Sequence, residues 1–212
     1  MMRSSSLRVG ALLTGATVLW LAGIVYGLER MSRYALTPAV QQPLVQAWPA
    51  TSSLARTPGR TTLVMFVHPQ CTCTQASLSE LEQILTAHSG SAGPALDAFV
   101  VFLTPSSAPA GWETSRLLDR ARRLRGVSVV SDTNGQEARL FHADISGIVA
   151  LFDGRGDLIF EGGLTGARGE VGNNAGLRQV RALLAGPPTS LHRAPVFGCS
   201  LREPAARDEG VL

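Results

Sequence analysis

A chain of 212 residues holds one globular domain with appendages but not two large domains. All 19 cationic side chains are Arg, so Schiff-base chemistry, a P-loop lysine and a Ser-x-x-Lys pair have no residue to use. The net charge of +3 overstates the basicity of the body: Arg3 and Arg8 precede an apolar run, and removing them from the 19 leaves 17 cations against 16 Asp plus Glu, which excludes the footprint of a nucleic-acid binder.

The first predicted element is an apolar helix over residues 9–28, twenty residues without a charge. At ~1.5 Å per residue it spans ~30 Å, one hydrocarbon thickness. A signal peptide has a shorter apolar core of about 7 to 15 residues and a small-x-small cleavage site, which this run lacks, so the expectation is a single-pass anchor. Arg3 and Arg8 on one side are balanced by Arg30 and Arg33 on the other, and only the α-amine tips the positive-inside count. Residues 29–60 carry no sustained period and read as an extended tether leading into the domain, with Trp48 and Pro49 available to pack on its edge.

The domain proper is expected over 61–185. It opens with a β-rich run, TTLVMFV over 61–67, short enough for a buried strand. A helix over 75–87 follows, with Ala76, Leu78, Leu81, Ile84 and Leu85 mainly on one face and Thr74 available as its cap. Then come a strand over 98–103, an Arg-rich helix over 112–124 paired in part by Glu113 and Asp119, and a strand over 127–130. A helical turn follows Asn134-Gly135. Strands over 148–152 and 158–160 flank DGRGD, whose Asp-Gly and Gly-Asp steps suit a hairpin turn. A last helix over 177–184 is stopped by Gly186-Pro187-Pro188, which leaves 186–212 as a C-terminal tail containing Cys199. Alternating strands and helices plus a terminal hairpin imply an α/β fold, a mixed sheet covered by helices on both faces.

Three cysteines are too few for a disulfide-stapled scaffold, but Cys71 and Cys73 lie two apart between the first strand and the first domain helix. Backbone N–H groups and the helix dipole favour an anion there, and a thiolate is such an anion. An adjacent imidazolium from His68 would add to that bias and lower the thiol pKa further. The polar flank of Gln70, Thr72 and Thr74 argues against two inert core cysteines. Two thiolates with His68 also compose a Cu(I) site, and this metal-binding alternative stays open. Cys199, the odd thiol, is a candidate for pairing with Cys71 or Cys73 or for no role at all. Arg168, Asn173 and Asn174 sit in a Gly-rich loop that either lines the site or merely connects elements.

FVHPQC at a strand end resembles the thioredoxin-like superfamily. The stretch VVSDTNGQEARLFHADISGIVALFDGRGDLIFEGG is similar to the strand, helix, strand, turn, strand pattern of its membrane-tethered and peroxiredoxin-like members. More narrowly, HPQCTCTQASLSEL, GGLTGARGEVGNNAG and VFGCSL together resemble the RedB group of anchored thioredoxin-like proteins. The resemblance implies a thioredoxin-like sheet behind a transmembrane helix. It also implies thiol-disulfide exchange with Cys71 as nucleophile, no cofactor, protein thiols or disulfides and an electron-transfer protein as partners, and an inner-membrane location with the domain facing the periplasm or cell exterior. Two departures stand out. The usual Cys-x-x-Cys is here Cys-x-Cys followed by Thr74, so Cys73 is the expected resolving thiol, in a tight and therefore oxidising pair. Ser146 and Gly147 stand where the superfamily has a cis-proline facing the disulfide, and are the expected substrate-facing positions. A peroxidase site of the related kind would carry Thr or Ser ahead of the cysteine, where this chain has His68.

Overall fold

The computed structural model describes residues 2–90, 93–107, 111–112, 115–186 and 190–201. The chain divides into two compact units, Met1–Thr37 and Pro38–Leu212. The first is one helix, α1 (Met2–Leu36), of 35 residues. Within it Gly10–Leu36 is long and apolar enough to cross a membrane. Leu12, Leu19, Trp20 and Val25 are all exposed, and the Thr14 and Thr17 hydroxyls donate back to the carbonyls of Gly10 and Leu13 at 3.0 and 2.9 Å, which hides the polar groups of an apolar helix. The helix does not stop at 28. It continues through Glu29, Arg30 and Arg33, where an Arg33–Glu29 pair at 2.6 Å, one turn apart, supports another turn.

The second unit holds a six-stranded sheet in the order β3-β2-β1-β4-β5-β6. β1 (Thr61–Val67) lies between β2 (Leu96–Thr104), parallel to it, and β4 (Val149–Phe152), antiparallel to it. β3 (Val127–Thr133) extends the parallel half; β5 (Leu158–Gly162) pairs antiparallel with β4 through the expected hairpin. That turn closes because the Asp153 carboxylate accepts the backbone N–H groups of Arg155, Gly156 and Asp157.

Helices cover both faces. Leu63, Met65 and Val67 of β1 meet α2 (Thr74–Ser89), α3 (Arg116–Arg123) and α5 (Ala175–Ala185) on one side. Val64 and Phe66 meet α4 (Gln136–Phe141) on the other. The Arg-rich helix is shorter than expected because Ser115 caps it, accepting from Leu118 N–H at 3.1 Å; Glu113 lies outside the described residues.

Two boundaries need correction. Residues 38–60, expected as a tether, belong to the domain. Leu44 and Leu54 are 2% and 5% exposed in the second core, and Trp48 packs edge-on against Phe141 and Phe152, both at 5.2 Å. Two buried carboxylates hold this stretch: Glu161 accepts Leu44 N–H at 2.7 Å, and Glu137 accepts Ser53 N–H and the Ser52 hydroxyl, each at 2.7 Å. The stretch lacks a period because its three anchors sit in an irregular strap. The described part of the expected C-terminal tail is likewise built in. It forms β6 (His192–Arg193), parallel to β5, and then buries Val196, Phe197 and Leu201.

Candidate functional site

Overlapping turns carry the chain from β1 into α2. Cys71 N–H donates to the carbonyl of His68, Thr74 N–H to Cys71 and Ala76 N–H to Cys73, at 3.0 to 3.2 Å. Cys73, not Thr74, takes the cap position, with helical dihedrals and no side-chain cap bond. Thr74 is diverted elsewhere: its hydroxyl lies 2.8 Å from that of Ser146, and both side chains are buried.

The decisive feature is a third sulfur. Cys71 Sγ lies 3.0 Å from Cys199 Sγ across 128 positions of sequence, and the sulfurs of Cys71, Cys73 and Cys199 all lie within 4.8 Å of one another. All three are free thiols; Cys71 is 3% exposed, Cys73 and Cys199 half-buried. A string of backbone bonds puts Cys199 there. Ala194 N–H donates to Glu161, Gly163 N–H to Pro195, Ala39 N–H to Val196, Ser146 N–H to Cys199 and Leu201 N–H to Asp144. The Arg168 guanidinium also donates to the Gly198 carbonyl. At Gly198 a Cβ would sit 1.9 Å from the Ser146 carbonyl oxygen, so only glycine lets the two segments approach this closely.

Burial pushes the Cys71 thiol up, but hydrogen bonds from the side chains and backbone N–H groups of Cys199 and Thr74 outweigh it and bring it down to about 7. For Cys199, burial, the hydrogen bond to Cys71 and the negative charges of Cys71 and Cys73 push it up to about 12, with Arg168 opposing. In the dithiol either sulfur donates; once Cys71 ionises, Cys199 holds the shared proton and donates it. The hydrogen bond to Cys71 and the charge of Cys71 both depend on a charged Cys71, so capping Cys71 covalently removes these two causes and leaves burial and Cys73. A second donor chain converges on the same sulfur. His68 N–H donates to Ser146 Oγ at 2.8 Å, and a Thr74 hydroxyl that donates to Cys71 must in turn accept from Ser146.

The other predicted site residues fall differently. The His68 ring is not in the sulfur group. Its Nδ1 accepts Gln70 N–H at 3.2 Å, its ring lies edge-on to Trp112 at 5.3 Å, and burial lowers its pKa. Burial therefore disfavours the imidazolium that was expected, and its contribution is its backbone N–H. Ser146 and Gly147, the expected substrate-facing positions, are both buried, with Ser146 bonded to the Cys199 segment. Gly147 has φ +89°, and a Cβ on it would stand 3.0 Å from Ser77 Oγ. Among the described residues no peptide bond is cis. Asn174 caps α5 by accepting Leu177 N–H at 2.9 Å and Asn173 accepts from Arg178, so of the three loop residues only Arg168 reaches the site. Thr74 and Gly198 escaped sequence reasoning as site residues. Gly198, directly before the unpaired Cys199, was the one local sign available.

Neither a family model nor a curated protein matches the chain. Solved structures do. An uncharacterized conserved protein from Geobacillus kaustophilus superposes with a TM-score of 0.57 at 18% identity, over 81% of this chain and 95% of its own. A hypothetical protein from Sinorhizobium meliloti gives 0.56 at 17%, over 79% and 94%. A secreted Mycobacterium tuberculosis disulfide oxidoreductase homologous to E. coli DsbE gives 0.42 at 13%, over 60% and 82%. The chain's own architecture, a mixed sheet in the order β3-β2-β1-β4-β5-β6 with helices on both faces, matches the thioredoxin-like fold. At these identities the likeness extends to architecture alone.

Proposed function

We propose that the protein is a membrane-tethered thiol-disulfide oxidoreductase of the kind its RedB-like motifs suggest, with Cys71 as the attacking sulfur. One observation carries the reading: a thiol lowered to about 7, at a strand-to-helix junction, has two further thiols within 4.8 Å. The lowered pKa favours the thiolate, the nucleophilic form, near neutral pH, where thiolate fraction and nucleophilicity are best balanced. Attack on a client disulfide leaves a mixed disulfide on Cys71, which a neighbouring thiol resolves. Cys73 is the resolving thiol that the sequence suggests, and Cys199 is also within reach. Cys71 is 3% exposed and in contact with Cys199, so attack on a client requires a local opening around this pair.

In this reading α1 anchors the domain in the inner membrane, with Pro38–Leu201 in the periplasm or outside the cell. Tethering raises the effective concentration of the domain toward membrane-bound clients and an electron-transfer protein. Full-length protein in detergent, reduced and then mixed with a disulfide-bonded test peptide, is expected to reduce one peptide disulfide per domain, and Cys71→Ser to abolish the reaction. Wild-type rates in Cys71→Ser would sink the proposal. Labelling of intact cells with a membrane-impermeant maleimide tests the orientation: Cys73 is expected to react from outside.

The three-sulfur group favours one second reading, Cu(I) held by Cys71, Cys73 and Cys199, with Cys199 in the place that the sequence suggested for His68. Cu(I) titration of the reduced protein against a chelator distinguishes it: tight one-to-one binding with no exchange activity would replace the oxidoreductase reading.

A further inference from the structure

We infer that Cys199 is the resolving thiol of this site, so that the oxidised protein carries a Cys71–Cys199 disulfide joining the head of α2 to the C-terminal strap. This rests on the oxidoreductase reading above and deepens it. The two sulfurs are already in contact at 3.0 Å. Their backbones are fixed independently, Cys71 by the overlapping turns that follow β1 and Cys199 by donors and acceptors on both sides of it. Ser146 N–H binds the Cys199 carbonyl at 2.9 Å, and Leu201 N–H binds the Asp144 carbonyl at 2.7 Å. Ile145 and Ser200 form an antiparallel bridge, and Gly198 gives the clearance that this bridge needs against Ser146. Burial of Val196, Phe197 and Leu201, at 4%, 7% and 1% exposure, pins the strap at both ends of the cysteine. A surface tail carrying an idle cysteine would have none of these fixings.

The Cys71 thiolate attacks one sulfur of a client disulfide; a Cys71–client bond forms, the client S–S bond breaks, and the other client sulfur leaves as a thiolate. The Cys199 thiolate then attacks Cys71 Sγ, forming the Cys71–Cys199 bond and releasing the second client thiolate. Two electrons pass from the protein to the client, and the two protons of the starting dithiol end on the client thiols. A dithiol donor returns the protein to its starting state by the reverse sequence. Cys73 remains a thiol throughout.

Peptide mapping under non-reducing conditions tests this without a substitution. Full-length protein in detergent is reduced, oxidised with a stoichiometric amount of the disulfide-bonded peptide, alkylated and digested. The expected product is a Cys71–Cys199 cross-link with Cys73 alkylated. A Cys71–Cys73 bond with Cys199 alkylated would overturn the inference and leave the oxidoreductase reading intact, whereas full alkylation of all three cysteines would overturn both. In the Cys73→Ser variant the same cross-link is expected, with its loss of two hydrogens. Cys199→Ser is expected to accumulate the Cys71–client mixed disulfide and to clear it at least about tenfold more slowly than wild type. Clearance of the mixed disulfide at the wild-type rate would also overturn the assignment.

Discussion

Two segments deliver the three sulfurs, and they do so by opposite means. The β1–α2 junction brings Cys71 and Cys73 together through local turns, none longer than four residues. The C-terminal strap brings Cys199 from 128 positions away through contacts with β5, the Gly-rich loop and the 144–146 turn. The first arrangement is written in the order of residues; the second exists only once the sheet has formed. The grouping of the three sulfurs therefore depends on a segment whose position is a property of the whole fold.

The largest expected effect separates the two means through stability. A disulfide across 128 positions removes far more freedom from the unfolded chain than one between residues two apart, with an upper value of about 4 to 5 kcal/mol by loop length. The oxidised protein is thus expected to unfold at a clearly higher urea concentration than the reduced protein. Cys199→Ser should abolish that gain and Cys73→Ser should retain it. A gain lost with Cys73 instead would assign the bond to the junction alone.

Next in size are the contacts of the lead-in strap. Leu44→Ala and Leu54→Ala each remove a buried side chain from the core behind β1 and are expected to cost about 2–5 kcal/mol in urea denaturation. Val40→Ala, at a side chain 87% exposed, is expected to cost less than about 0.5 kcal/mol. Equal, small effects at all three positions would make residues 38–60 the loose tether that their composition suggests.

What was legible in the sequence follows the same division. The β-prone 61–67 run, the apolar face of 75–87 and the turn residues of DGRGD each specify an element within one window, and each forms at or near the expected position. The cysteine pair was legible because it sits on such a boundary. The straps at 38–60 and 190–201 were not. Their buried residues follow neither a period of 2 nor of 3.6, and they are held by single backbone bonds and two carboxylates whose partners lie far along the chain. Thr74 shows the limit most directly. By type and place it is a helix cap, yet in the fold its hydroxyl turns to Ser146 and Cys71, because the turns from His68 onward already occupy the first N–H groups of α2.

A smaller effect, and the sharpest probe of how far the strap controls the junction, is the titration of Cys71. Its alkylation rate is expected to rise with pH around about 7. Cys199→Ala removes one set of donors and Thr74→Val another, so both should move the inflection upward, toward the ordinary range near 8.5. Gly198→Ala should act like the first by a different route, since the new methyl group meets the Ser146 carbonyl and moves the strap while leaving every thiol in place. The sign carries over to stability. A thiol whose pKa is lower folded than unfolded binds fewer protons when folded, so Cys71 contributes stability above its unfolded value that is lost as pH falls through about 7. That pH-dependent part should shrink in all three variants. An inflection unmoved in both Cys199→Ala and Gly198→Ala would mean that the junction holds its thiolate without the strap, through the helix start and Thr74 alone.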